Sequence, residues 1–190
     1  GLSFVNANVA VDAYRYALSL KANSLLPFSD FFKIVGGLYS DTTVDIIEPL
    51  ISFIVSRFTS DHGLYFGVWA AIFGYFYLKS ITLIYDRYIV EQNMNTILLM
   101  AFFVMTIPVT MISGVRMWTA AWIFFYGAFR VITEKNPRFL FISFSAVFVH
   151  WSFISANAIL LIYYLIGNRN IIYIPLAVSS FILPYLMAPV

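Results

Sequence analysis

The chain has 190 residues, of which 62% are hydrophobic, 19% aromatic and only 11% charged. Soluble domains carry about 25% charged residues; this apolar excess does not fit one water-soluble core and points to an integral membrane protein. The formal net charge of +2, with no basic run, speaks against a nucleic-acid partner, and the lack of cysteine excludes disulfides, thiolate metal sites and a cysteine nucleophile.

The first residues, "GLSFVNANVA", lack the basic start and cleavage site of a signal peptide. The last, "LPYLMAPV", stop inside an apolar stretch, so the chain reads as an internal piece of a longer membrane protein. Residues 1–63 mix charge with aromatic side chains, and Pro27 and the Gly36-Gly37 pair break them into pieces. They are expected to form short, outward-facing helices near the membrane surface. Within them, "DIIEPLISFIVSRFTSD" opens with Asp45 as a helix cap and Glu48-Pro49 in the first turn. Its apolar stretch of about 14 residues suits an interfacial or re-entrant helix rather than a full crossing.

Residues 64–190 hold five segments of the length that crosses a bilayer, which takes roughly 20 residues of helix. They are Leu64–Tyr85, Met94–Ser113, Val115–Ile132, Phe139–Ile166 and Ile171–Met187. Pro175 and Pro184 predict a kink or early end in the last. Short polar turns, "DRYIVEQN", "TEKNPR" and "GNRN", separate neighbouring segments. The expected fold is all-α: a polytopic transmembrane bundle of about five crossing helices with an N-terminal interfacial or re-entrant segment. It forms a single membrane domain over 1–190. Lys79, Arg87, Arg130, Lys135 and Arg138 fall on one side of it, and Arg57, Arg116 and Arg169 on the other. The positive-inside rule then places the first group in the cytoplasm and Arg116 outside.

Arg116 and Arg130 are the only charged residues from Met94 to Ile132. Arg130, near a helix end, can snorkel. Arg116 either snorkels too or forms an anion site, where its forked donors add to the helix dipole and free N–H groups and suit a phosphate. His150 is the only His, acid or base from Phe139 to Ile166. It either bonds a neighbouring helix or serves function, the default for ionisable groups inside a membrane. Its place about 18 Å of helix rise beyond Arg138 lets it share an outward-facing cavity with Arg116. Ser143, Ser145, Ser152, Ser155 and Asn157 would line a polar stripe on the same helix.

In "VDAYRYAL", three- and four-residue offsets group Asp12, Arg15 and Tyr16, next to Tyr14. Asp41, Asp45, Glu48, Asp61 and His62 add acids and a base on the same outer side, where a solvated interfacial face is the plainer reading of each. Trp118 and Trp122, one turn apart, either anchor in the interfacial belt or stack on sugar rings. There is no nucleophile elbow, P-loop or H-E-x-x-H site, and no metal-ligand cluster is evident.

Four motifs, "DAYRY", "IIEPLISFIVSRFT", "SGVRMWTAAW" and "VFVHWSFISA", occur in this order. Together they resemble the Wzy/EpsG-like polysaccharide polymerases, whose pattern has an aspartate with tyrosines, a glutamate before a hydrophobic stretch, a G-[IV]-R opening a crossing helix, and a histidine in the next helix. The chain departs from that pattern at Met117, where the family often has glutamine. The resemblance implies an enzyme of the bacterial inner (cytoplasmic) membrane, with its cavity facing the periplasm or exterior. It would polymerise undecaprenyl-diphosphate-linked oligosaccharide repeat units into a capsule, exopolysaccharide or O-antigen. That is metal-independent glycosyl transfer with no cofactor, in the lipid bilayer, alongside other polysaccharide-assembly proteins. Arg116, His150 and Asp12 are the expected catalytic residues, and Tyr14, Arg15, Glu48, Trp118 and Trp122 the expected substrate-binding residues. Other readings are an O-antigen ligase, a membrane acyltransferase, or a non-enzymatic lipid or glycan transporter.

Overall fold

The computed structural model describes residues 12–30, 46–88, 94–106, 114–169, 171 and 173–175. The regular elements among them are helical: α1 (Asp12–Ser24), α2 (Ile47–Ser56), α3 (His62–Tyr88), α4 (Met94–Thr106), α5 (Val115–Glu134), α6 (Arg138–Val149) and α7 (Phe153–Ile166), with a 3-10 turn at Phe28–Asp30.

The tightest packing joins α5 to α6. Thr119, Ala120, Ile123, Gly127, Ala128 and Val131 recur at three- and four-residue spacing and form the buried face of α5. Gly127 sets the separation. A Cβ there would lie 2.8 Å from both Cα and Cβ of Ser143, and nearer still to its backbone nitrogen. Small residues at such crossings let helix backbones approach closely. The two helices run antiparallel because the connection is tight. Lys135 takes the left-handed conformation (φ 52) and its N–H returns to Val131 O at 3.0 Å, while Asn136 Oδ1 accepts from Arg138 N at 3.1 Å.

The expected single crossing from Phe139 to Ile166 is instead a helical hairpin. α6 ends at Val149, His150 is extended (φ −152, ψ 115), and α7 starts at Phe153. Ser143 Oγ donates to Asn157 Oδ1 at 2.7 Å, and Asn157 Nδ2 donates to Ser143 O at 3.2 Å. These residues lie symmetrically about His150, so α7 folds back along α6. The hairpin also corrects the expected polar stripe: Ser143 and Asn157 face each other across the turn rather than lining a cavity from one helix. At 1.5 Å per residue α6 is about 18 Å long and α7 about 21 Å, each short of a hydrocarbon core about 30 Å thick.

Because α7 returns, Leu160 packs with Val131, Phe139 and Leu140. Arg169 therefore lies at the Lys135 end of the bundle, not with Arg116 as the unbroken helix implied. At that end Arg130 forms a two-pronged pair with Glu134 (2.8 and 3.0 Å), bonds Tyr126 Oη at 2.9 Å and stacks over Phe139 at 3.9 Å. Arg87 Nη2 donates to Thr133 O at 3.0 Å.

α3 runs in the same sense as α5, joined by edge-on ring contacts between Tyr77 and Trp122 (4.9 Å) and between Phe76 and Tyr126 (6.0 Å). It is the one helix among the described residues long and apolar enough to cross a membrane, and only 11% of its apolar window is buried. A core helix of a soluble protein would be mostly buried. α4 exposes Leu99 and Phe102. Residues 89–93, residues 107–113 and the fifth expected segment beyond 175 lie outside the described residues, as do Asp41 and Asp45.

α1 and α2 pack side by side across one end of this bundle. Asn23 Nδ2 donates to Ser52 Oγ at 3.0 Å. The Arg57 guanidinium stacks on Phe53 (4.5 Å) and donates to the carbonyls of Asn23 and Leu26, so a cation caps the negative end of α1. Ala13, Tyr16 and Leu20 share one buried cluster with Tyr65, Trp69, Ala120 and Val149. The N-terminal helices are thus part of the bundle's core.

Replacing Gly127 with alanine should force α5 and α6 apart at a cost of about 1–3 kcal/mol, read as a lower unfolding temperature of the purified chain in detergent. Ser143→Ala in the same chain should not restore it, because backbone atoms make the clash.

Candidate functional site

Arg116 is the second residue of α5, half-buried, in a first turn that has no side-chain cap at Gly114. Its Cζ lies 4.9 Å from the centroid of the Tyr16 ring. The cation therefore turns inward onto α1 instead of reaching away from the protein. Contact with an aromatic face is worth about 0.5–2 kcal/mol, more when water is excluded. The ring is well placed for it: Tyr16 is buried on the α1 face that also carries Ala13, Leu20 and Asn23. Tyr14 is half-buried and Arg15 exposed on neighbouring faces. Asp12 opens α1, and its side chain lies outside the described residues.

Glu48 is buried in the first turn of α2, where the helix dipole favours a carboxylate. Its Oε1 accepts from Tyr65 Oη at 3.0 Å. Tyr65 is fully buried in the first turn of α3, edge-on to Phe66 at 5.3 Å. Trp69, one turn further, is also fully buried, in the same cluster as Tyr65. Asp61 serves locally, accepting from Gly63 N at 2.7 Å at the start of α3, and His62 is half-buried beside it.

His150 occupies the tip of the α6–α7 hairpin. Ser152 Oγ lies 2.8 Å and Ser152 N 3.4 Å from its Nδ1, and its ring stands perpendicular to Phe153 at 6.4 Å. The tip is tied to α2 by main-chain atoms: Ile46 N donates to Phe148 O at 3.0 Å. Glu48 and His150 are each two residues from that bond. The antiparallel register, with Gly127 against Ser143, brings His150 level with Ala120, one turn from Arg116. Arg116, Tyr16, Glu48, Tyr65 and His150 thus gather at one end of a shared core.

The two tryptophans separate. Trp122 is buried between Tyr77 and Phe125, so it is packing between α3 and α5 and offers no open face to a sugar. Trp118 is half-buried, with its ring against Gly114. Met117 is exposed. Among the described residues no His, Asp and Glu side chains gather in a metal-holding group. Sequence reasoning missed Tyr65 and Trp69, and placed Ser152 only in the polar stripe, not against the His150 ring. Only the apolar spacing of Ala13, Tyr16 and Leu20 could have picked out Tyr16 as the inward residue of its motif.

Tyr65→Phe removes a hydrogen bond to a buried carboxylate and should cost about 1.5–3 kcal/mol, measured by chemical unfolding in detergent. The cost should shrink in a Glu48→Gln background, because the two residues act on one bond. Equal costs in both backgrounds would mean the bond contributes nothing. Compared with family models, with curated proteins and with solved structures, the chain finds no match in any of the three.

Proposed function

We propose that the chain is the membrane-embedded core of a polysaccharide polymerase that joins oligosaccharide units carried on undecaprenyl diphosphate. The observation that carries the reading is the seating of Arg116 at the start of α5 against Tyr16, at the same end of the core as the buried carboxylate Glu48 and the hairpin histidine His150. The sequence resemblance described above supplies the substrate class.

Large apolar side chains are exposed on every helix, among them Phe102, Phe141 and Leu165, which suits a lipid surround. In this reading α3, α5 and the longer apolar segment that opens with α4 cross the bilayer, and the segment from Ile171 crosses again. The α6–α7 hairpin enters from the Lys135 side and returns to it. Lys79, Arg87, Arg130, Lys135, Arg138 and Arg169 then lie toward one side and Arg57 and Arg116 at the other, which puts the first group in the cytoplasm. The Arg116 end faces the periplasm or exterior of a bacterial inner membrane.

In the reaction, a sugar hydroxyl of one lipid-linked glycan attacks the anomeric carbon of another. The new C–O bond forms as the bond from that carbon to the diphosphate oxygen breaks. The diphosphate leaves with the electron pair, and Arg116 binds its growing charge. The hydroxyl proton passes to a base at the same end, Glu48 or His150. Asp12, Tyr14, Arg15 and Trp118 border this end and are assigned to the glycan.

One observation favours a second reading. A broken helix with a polar tip is also the device with which transporters hold substrate at mid-membrane. The described residues contain one such hairpin and no inverted counterpart. A transporter would carry labelled lipid-linked oligosaccharide across a membrane without lengthening it.

Arg116→Ala in the polymerase should abolish long polymer while the protein stays in the membrane. Arg116→Lys keeps the charge but loses the forked contact. Losing about 2–3 kcal/mol of charge-assisted bonding corresponds to roughly 30- to 150-fold in rate, so a small part of the activity should survive. Polymer length on a gel, beside membrane protein level, reads both. Full-length polymer from Arg116→Ala would remove the anion-binding role. The hairpin has its own test: cysteines placed singly at Asn136 and Asn168 should react with an impermeant thiol reagent from the same side of sealed vesicles. Labelling from opposite sides would mean that α6 and α7 form one crossing.

A further inference from the structure

Two groups of Ser152, its backbone amide and its hydroxyl, restrict what His150 can do at the hairpin tip. The Ser152 amide lies 3.4 Å from Nδ1 and can only donate. The Ser152 hydroxyl, 2.8 Å from the same nitrogen, can donate as well. A ring nitrogen facing an obligate donor carries its lone pair there, so the proton of the neutral imidazole sits on Nε2. From this we infer that His150 acts as a hydrogen-bond donor to an oxyanion through Nε2–H, with Ser152 as its positioning residue, and that Glu48 is the base.

The inference rests on the polymerase reading and assigns the two roles left open by it. Nε2 already holds a proton in the neutral ring, so it has no lone pair with which to accept one from a hydroxyl. It can give a hydrogen bond to the leaving diphosphate oxygen, next to the charge supplied by Arg116. Glu48 is the buried carboxylate of this end, tied by Tyr65 and joined through the Ile46–Phe148 bond to the same hairpin tip. As the glycosidic C–O bond forms, the hydroxyl proton moves to Glu48 and the diphosphate departs with the electron pair against His150 and Arg116.

The tautomer can be read without any polymer assay. The chain labelled with 15N-histidine is placed in lipid nanodiscs, with His62→Gln leaving His150 as the single histidine. At a pH where the ring is neutral, its spectrum should show the proton on Nε2, and Ser152→Ala should move part of the population to the other tautomer. A proton on Nδ1 would overturn the inference. Farnesyl diphosphate should shift the Nε2 resonance. A matching shift with inorganic diphosphate means that the diphosphate group is sufficient, and a shift with the lipid alone means that the lipid-linked form is required; either supports the donor role. No shift with either probe overturns it. In the polymerase, His150→Gln carries an amide N–H to about the position of Nε2 and should keep activity within about tenfold of the parent, whereas His150→Asn should lose about 100- to 1,000-fold, the effect of removing one oxyanion donor. Equal, complete loss in both, at normal membrane level, refutes the donor role while leaving the polymerase reading to the Arg116 variants.

Discussion

Ser143 is pressed against Gly127 on one side and shares two hydrogen bonds with Asn157 on the other. Three helices meet at this residue, and most of the bundle's geometry follows from it. The close approach to Gly127 sets the spacing and register of α5 and α6. The paired bonds to Asn157 hold α7 against α6, which forces the chain to turn between them. In an apolar surround, polar side chains have few partners other than one another, and a bond made there is difficult to exchange for water. A serine and an asparagine facing each other across a turn therefore suffice to define a hairpin. The turn they define carries His150.

The same logic organises the other end. Three polar groups there are held by specific partners: Arg116 by the Tyr16 face, Glu48 by Tyr65, Arg57 by the carbonyls that end α1. These pairs draw on α1, α2, α3 and α5, so the candidate site is assembled by helix ends rather than by one motif. Arg130 shows the contrast. Its partners Glu134 and Tyr126 lie within one turn of its own helix, and Phe139 follows just after. That local clamp closes the opposite end of the bundle.

Much of the helical framework was legible. α3 and α5 begin and end within a few residues of the apolar runs Leu64–Tyr85 and Val115–Ile132, because charged and small polar residues bound them. Arg116 at the opening of α5 was legible for the same reason. The hairpin was not. Hydropathy averaged over Phe139–Ile166 stays high through "HWS", and the break depends on a contact between residues fourteen apart. The charge distribution inherited that error, since Arg169 changes ends when α7 turns back. Within "DAYRY", offsets identified neighbours but not the inward face, so Tyr16 was not singled out from Asp12 and Arg15. The Glu48–Tyr65 bond links separate helices and leaves no mark in local spacing. Trp122 reads as a stacking platform until α3 is seen to cover it.

The bond from Ile46 N to Phe148 O is made by main-chain atoms alone. Either side chain can therefore change over evolutionary time without disturbing it, and the two positions have no reason to vary together. The link between α2 and the hairpin tip is thus a coupling that comparison of related sequences would not reveal. Proline at position 46 is the exception, since it alone removes the donor. Tolerance of every residue but one at an otherwise ordinary isoleucine would be the genetic trace of this contact.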